Sequence, residues 1–421
     1  MQTRPEKPIR IVIAGGGFGG VYTYKQLHNR FHGDSRVQLI LINRENYFLF
    51  TPLLHEAATG GVSLENTIEP IRKVLNCCLH DLYVADIKKI SFAEKKIETT
   101  LGDVPYDYLV LALGAETNYY GIPGAEAHTL TLKTLDDARA MKNRFLEIFE
   151  RASLAQTDAE LQKLLSFAVI GGGPTGVELS AEMSEFFFYT LAPYYKGKNF
   201  AKHINIHLIH RDPQLLPQFS EKLRIKALAA LEREHGIQVH LSAEVTSIEE
   251  KAIVLKTGER IEANAIVWVA GTKPSGVPVD DAETRGPNGK FKAKSTFQLE
   301  KYPDVIALGD AASVIAANQK NPLPALAQVA TKQSVVAALN IARLIEGKEP
   351  KEFAYSHSGD MLSLGHWLAM GEIHGFSFIG HLAWWVWRTV YLFKLISWQK
   401  RIRVAVDWTI NLFVKRDISR Y

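Results

Sequence analysis

Apolar residues along the 421-residue chain gather in two kinds of run. Short unbroken runs occur at Arg10–Ala14 (RIVIA), Val37–Ile42 (VQLILI), Phe167–Ile170 (FAVI) and Ile204–Ile209 (INIHLI). They are too continuous for half-buried strands and predict parallel strands covered on both faces. The first and third lead straight into glycine clusters, the point at which a parallel strand turns into its helix. A longer run, Phe376–Trp398, is followed by the more broken Arg401–Val414, and together they predict an amphipathic helical pair at the C-terminus.

The first cluster is Gly15-Gly16-Gly17-Phe18-Gly19-Gly20, in which Gly15, Gly17 and Gly20 match GxGxxG. Those glycines allow the tight turn, the approach of a pyrophosphate to the backbone, and close helix–strand packing. The next strand ends where a ribose-binding acid is expected. Asn43 stands there, followed by Arg44, and an amide still offers a ribose hydrogen bond. The second cluster, Gly171-Gly172-Gly173-Pro174-Thr175-Gly176, repeats the first at an offset of 156 residues. Ala112-Leu113-Gly114 and Val269-Ala270-Gly271 close further apolar strands. Gly309-Asp310 closes another, and its acid is placed to accept from a ribityl hydroxyl or simply to cap the strand. One glycine turn alone is weak evidence; two in one chain predict an α/β fold with two Rossmann-type domains and two bound dinucleotides.

Composition excludes other classes. The content is 47% hydrophobic and 22% charged, as in ordinary globular proteins. Cys77 and Cys78 are adjacent, which fits neither a disulfide framework nor a CxxC redox pair nor a metal site, so no metal is expected and a disulfide reductase is excluded. No apolar stretch precedes the first strand, so no signal peptide is expected. Net charge is only +4, yet residues 376–421 hold eight Lys/Arg against Asp407 and Asp417, together with five of the seven tryptophans. A basic, Trp-rich tail on a mildly acidic body suggests a lipid surface and not nucleic acid.

The chain closely resembles the type II NADH dehydrogenases among the pyridine-nucleotide flavin oxidoreductases. The resemblance is carried by GGGFGG at 15–20, by Pro52-Leu53-Leu54-His55-Glu56-Ala57-Ala58-Thr59-Gly60, by GGGPTGVELSAE at 171–182, by Gly309-Asp310 and by Ala327-Gln328-Val329-Ala330. It implies a FAD domain in two parts, 1–125 and 290–365, an NAD domain inserted at 126–289 with its core at about 165–272, and a membrane-anchoring and dimerisation segment at 366–421. It also implies hydride transfer from NADH to FAD and then reduction of a quinone, ubiquinone or menaquinone, without proton pumping. The expected setting is a homodimer on the cytoplasmic side of the cell membrane. The FAD-side residues are then Gly15, Gly17, Phe18, Gly19, Gly20, Asn43, Arg44, Leu54, Ala112, Gly114, Gly309, Asp310 and Ala327; the NAD-side residues are Gly171, Gly173, Pro174, Thr175, Gly176, His210, Arg211 and Gly271. Glu178 is expected to face flavin and nicotinamide, the plainer reading being an acid favoured by a helix N-terminus. Gln328 carries the quinone-site expectation, with Thr331 and Lys332 beside it. The family pattern is AQxAxQ, so Lys332 stands in the second glutamine's place, and Gln333, one residue late, reads as a solvated polar residue. A soluble ferredoxin or rubredoxin reductase is the alternative function.

Two features leave alternatives. The strand ending at Ile209 should finish in an acid that repels a 2′-phosphate, but His210-Arg211-Asp212 follows, so NADH preference is the expectation and NADPH use its alternative. The 23 residues Phe376–Trp398 are long enough to cross a bilayer, but His381, Arg388 and Lys394 interrupt them. A helix pair lying in the interface, with tryptophans at headgroup depth and Lys/Arg reaching anionic lipid, is the expectation.

Overall fold

The computed structural model describes residues 7–75, 81–195 and 198–420. Cys77 and Cys78 and the first six residues lie outside them. In chain order the principal elements are β1 (Ile9–Ala14), α1 (Phe18–Phe31), β2 (Val37–Asn43), α2 (Leu54–Ala57), β3 (Asp81–Val84), β4 (Tyr108–Leu111), β5 (Ser166–Ile170), α3 (Pro174–Glu185), β6 (Asn205–Ile209), β7 (Ile237–His240), β8 (Ala265–Trp268), β9 (Val305–Ala307), α4 (Ala327–Ile345), α5 (His381–Lys394) and α6 (Trp398–Ile410).

They form two compact units: residues 1–48, 69–116 and 272–357 make one, and residues 49–68, 117–271 and 358–421 the other. The PLLHE segment and the C-terminal segment, expected in the first domain and as a separate tail, thus group with the inserted unit. The first unit is built on a parallel sheet in the order β9-β4-β1-β2-β3. Ile11–Ala14 and Leu109–Leu111 are buried, as residues covered on both faces must be. The second unit repeats the plan with β7-β6-β5-β8, again parallel. In both, the strand before the glycine turn is flanked by the strand that follows its helix, the arrangement of a mononucleotide-binding half. The chain is therefore α/β with two Rossmann-type domains.

The C-terminal run is not one helix. Phe376–Gly380 is a strand edge, the backbone breaks at Gly380 with φ at +120°, and α5 then runs only 14 residues. At 1.5 Å per residue that is about 21 Å, short of the ~30 Å hydrocarbon core. Among the described residues no helix is long and apolar enough to cross a membrane.

Candidate functional site

The two glycine turns are built alike. The Gly15 N–H donates to the Ile42 carbonyl at 2.8 Å, and the Gly171 N–H to the Ile209 carbonyl at 2.9 Å. A Cβ at Gly20 would lie 1.7 Å from the Gly15 oxygen, and one at Gly176 would lie 1.8 Å from the Gly171 oxygen, so only glycine lets each helix come so close to its turn. The parallel extends to the strand ends: the Gly16 N–H donates to Asn43 Oδ1 at 2.7 Å, and the Gly172 N–H to His210 Nδ1 at 3.1 Å. In each unit a neutral acceptor occupies the place expected for a carboxylate.

Beside the first turn lies a cavity of about 240 Å³, lined among others by Gly15, Asn43, Arg44, Asp86 and Glu116. Arg44 Nε donates to Asp86 Oδ1 at 2.6 Å across this rim. Gly17 and Gly173 stand at the starts of their helices, and nothing lies within 4 Å of where a Cβ would be at either. These residues fit a dinucleotide in each unit. Ala112 and Gly114 follow β4 at the same edge, and Gly309-Asp310 form a 3₁₀ turn after β9. Leu54 is buried in α2, within the second unit.

Gln333 is a correction. It is 2% exposed, and its Oε1 accepts from the Gly309 N–H at 2.7 Å, tying α4 to the turn at Asp310. The solvated-face reading failed because it measured Gln333 against a motif position and not against the helix's buried side, which Val329, Ala330 and Ala337 define. Thr331 Oγ1 bonds back to the Ala327 carbonyl at 2.9 Å, and Lys332 Nζ donates to the Ser356 carbonyl and lies 5.3 Å from the Tyr355 ring centre. Gln328 stays half-buried on the first turn of α4.

In the second unit, Glu178 is not a surface acid enjoying a helix N-terminus. It is buried, and its Oε1 accepts from the Ser363 N–H at 3.1 Å while its Oε2 lies 3.9 Å from His55 Nδ1. Burial, reinforced by Glu56 and Glu182 nearby, pushes its carboxyl up to about 8. Glu182, one turn on, is buried and shares Arg416 with Glu185: Arg416 Nη1 donates to Glu182 Oε2 at 2.8 Å and Nη2 to Glu185 Oε1 at 2.6 Å. One guanidinium compensates one carboxylate. Burial would raise Glu185, but Arg416 overrides it and holds it at about 2, whereas burial wins at Glu182, which is raised. Glu56 accepts from Trp408 Nε1 at 2.6 Å. Arg388, half-buried, stacks 3.7 Å from the Trp384 ring centre and 4.8 Å from that of Trp408. His55 is buried, which holds it down at about 3, and its Nε2 meets no hydrogen-bond partner.

The sequence contained these acids but gave no sign of their cations, because Arg388 and Arg416 lie more than 200 residues away along the chain. The same contacts revise the basic tail: Arg388, Lys400 and Arg416 turn inward, and Arg401 caps the Phe393 and Leu395 carbonyls, leaving Lys394, Arg403, Lys415 and Arg420 exposed.

Residues 9–334 match the family described as pyridine nucleotide-disulphide oxidoreductase, and residues 357–417 match the NDH2 C-terminal domain. Over 98% of its length the chain is 30% identical to the type II NADH:quinone oxidoreductase Ndh of Mycobacterium tuberculosis, covering 90% of that protein. It is 29% identical to the type II NADH:quinone oxidoreductase of Staphylococcus saprophyticus, over 87% of this chain and 90% of that one. Its fold superposes on NDH2 from Plasmodium falciparum, solved in complex with NADH, with a TM-score of 0.89, 20% identity, and coverage of 98% of this chain and 100% of that one.

Proposed function

Because the chain belongs to the type II NADH:quinone oxidoreductases, within the pyridine nucleotide-disulphide oxidoreductases, we propose that it moves two electrons from NADH through FAD to a membrane quinone without pumping protons. The single observation that carries this reading is the duplicated turn, with Gly16 on Asn43 and Gly172 on His210, which provides two dinucleotide sites in one chain. FAD, when bound, accepts a hydride from the nicotinamide and passes electrons onward singly or in pairs.

The chain's residues do the rest. The open N–H groups at the starts of α1 and α3 hold pyrophosphates, and Asn43 and Arg44 meet the adenosine ribose. Gln333 fixes the Gly309-Asp310 turn against α4, which presents Gln328, Thr331 and Lys332 to the quinone. The overall reaction, NADH + H⁺ + quinone → NAD⁺ + quinol, takes up one proton. Glu178 holds a proton at neutral pH in a buried pocket beside His55 and is the residue suited to hand it over. The enzyme sits on the cytoplasmic side of the membrane through residues 376–421, as a homodimer, so that quinone need not enter water. Support for this placement comes from the exposed Trp385, Phe393, Trp398 and Phe413.

The test is an anaerobic titration of the FAD-loaded protein. NADH is expected to bleach the flavin absorbance, and an equimolar short-chain quinone to restore it. Bleaching that only an iron–sulfur carrier protein reverses would favour the soluble reductase instead.

A further inference from the structure

The strand end of the second dinucleotide site bears on which coenzyme it takes. His210 is pinned there. Its backbone N–H donates to the His240 carbonyl at 2.8 Å, its carbonyl accepts from Ala243 at 2.9 Å, and its ring accepts from the Gly172 N–H. The ring also packs so closely on the turn that a Cβ at Gly172 would lie 2.7 Å from its Cγ. With Nδ1 accepting, the imidazole is neutral and its proton sits on Nε2, which is buried, so the ring offers no acceptor at the strand end where an NAD-selective site needs one. Burial lowers its pKa and keeps it neutral.

The acid two residues on, Asp212, is not free. Its Oδ2 lies 3.8 Å from His210 Nε2 and its Oδ1 3.4 Å from Arg211 Nε. His210, Arg211 and Asp212 sum to zero formal charge, where a strand-end carboxylate would leave one uncompensated negative charge. Arg211 is largely exposed and its guanidinium matches a phosphate.

We propose that this site accepts a 2′-phosphorylated nicotinamide nucleotide as well as NADH, with His210 and Arg211 as the residues that relax the selectivity. The reaction is NADPH + H⁺ + quinone → NADP⁺ + quinol, the same two-electron transfer; the inference rests on the function proposed above.

Two measurements on the FAD-loaded protein test it. In steady state, kcat/KM for NADH is expected to exceed that for NADPH by less than about a hundredfold, and His210→Glu, which restores a strand-end carboxylate, to raise that ratio by about tenfold or more. In calorimetric titration, 2′,5′-ADP is expected to bind at least as tightly as 5′-AMP, to lose about tenfold in Arg211→Ala, and to weaken more than 5′-AMP as salt rises. A wild-type ratio of about a hundredfold or more, or 2′,5′-ADP binding about tenfold weaker than 5′-AMP, overturns the proposal. If NADH itself supports no quinone reduction, the proposed function fails, and the nucleotide titration still decides this inference.

Discussion

Glu178 illustrates how a residue's environment sets its chemistry. Its carboxyl titrates near 4.5 in an unfolded chain and about 8 in the fold, chiefly through burial. Between those values the folded state binds more protons than the unfolded one. Its contribution to stability is therefore complete below about 4.5 and is lost as pH rises toward 8. His55, held at about 3, acts in the opposite sense and costs stability as pH falls through the range from 6.5 to 3. Glu178→Gln keeps the shape and an oxygen for the Ser363 N–H but cannot ionise. The thermal midpoint of the variant should fall less steeply than wild type between about pH 5 and 8, and should overtake it at the upper end. Differential scanning fluorimetry across that range reads it directly; parallel slopes would locate the titrating proton elsewhere, Glu182 being the next buried acid. Glu178 was legible in the sequence as a candidate because it follows the second glycine turn. Its raised pKa was not, since burial and the neighbouring Glu56 are products of the fold. Gln333 was misread for a related reason: a motif fixes positions along the chain, whereas burial depends on which side of α4 faces the core.

At the level of elements, both strand–turn–helix units follow from local rules, and this is where the sequence was most readable. Continuous apolar runs became two-sided parallel strands, and each glycine cluster became a turn whose helix start is open to a phosphate. The strand ends are readable too, since Asn43 and His210 stand where an acid is expected, although their shared bond to the second glycine appears only in three dimensions. The C-terminal run was less readable, because a strand, Phe376–Gly380, and a helix, α5, are both apolar and merge into one stretch on a hydropathy reading. The duplication allows the two sites to be separated by one methyl group each. Gly20→Ala and Gly176→Ala would each press a Cβ onto a carbonyl oxygen less than 2 Å away, forcing the helix start to move. Displacement of about 1 Å at a positioning element costs about 10²-fold in rate. Gly176→Ala is expected to keep its flavin spectrum while its reduction by NADH in stopped flow slows to that extent, whereas Gly20→Ala is expected to lose bound FAD. Loss of FAD from Gly176→Ala would mean that the two turns do not serve separate nucleotides.

For the whole molecule, the proposed attachment to a membrane needs a physical basis. The C-terminal segment is no detachable tail, because it supplies Arg388 and Arg416 to Glu56, Glu182 and Glu185 in the interior. Removing one partner of a buried ion pair costs about 3–5 kcal/mol. Truncation would therefore unfold the second unit as well as release it, and it cannot isolate membrane binding. The outer face of α6 can. Trp398, Ile402, Val406 and Ile410 recur every four residues and are each about half exposed or more, while Lys400, Val404 and Trp408 on the other side are buried. Three steps of four residues, each about 40° past a full turn at 3.6 residues per turn, spread that exposed stripe over only about 120° of the helix, the width of an interfacial face. With Lys400 and Arg416 buried and Arg388 and Arg401 half-buried, the exposed Lys394, Arg403, Lys415 and Arg420 can add about 1 kcal/mol each at an anionic surface. Immersing a large apolar side chain contributes about 1.5–3 kcal/mol. Apolar insertion is therefore the larger share. Replacing the four stripe residues by serine leaves the buried ion pairs intact and should lower flotation with anionic vesicles by about tenfold or more, while about 0.5 M salt should weaken the wild type only in part. Undiminished flotation of the serine variant, with salt alone abolishing it, would mean that the surface charges hold the enzyme to lipid and the stripe faces something else.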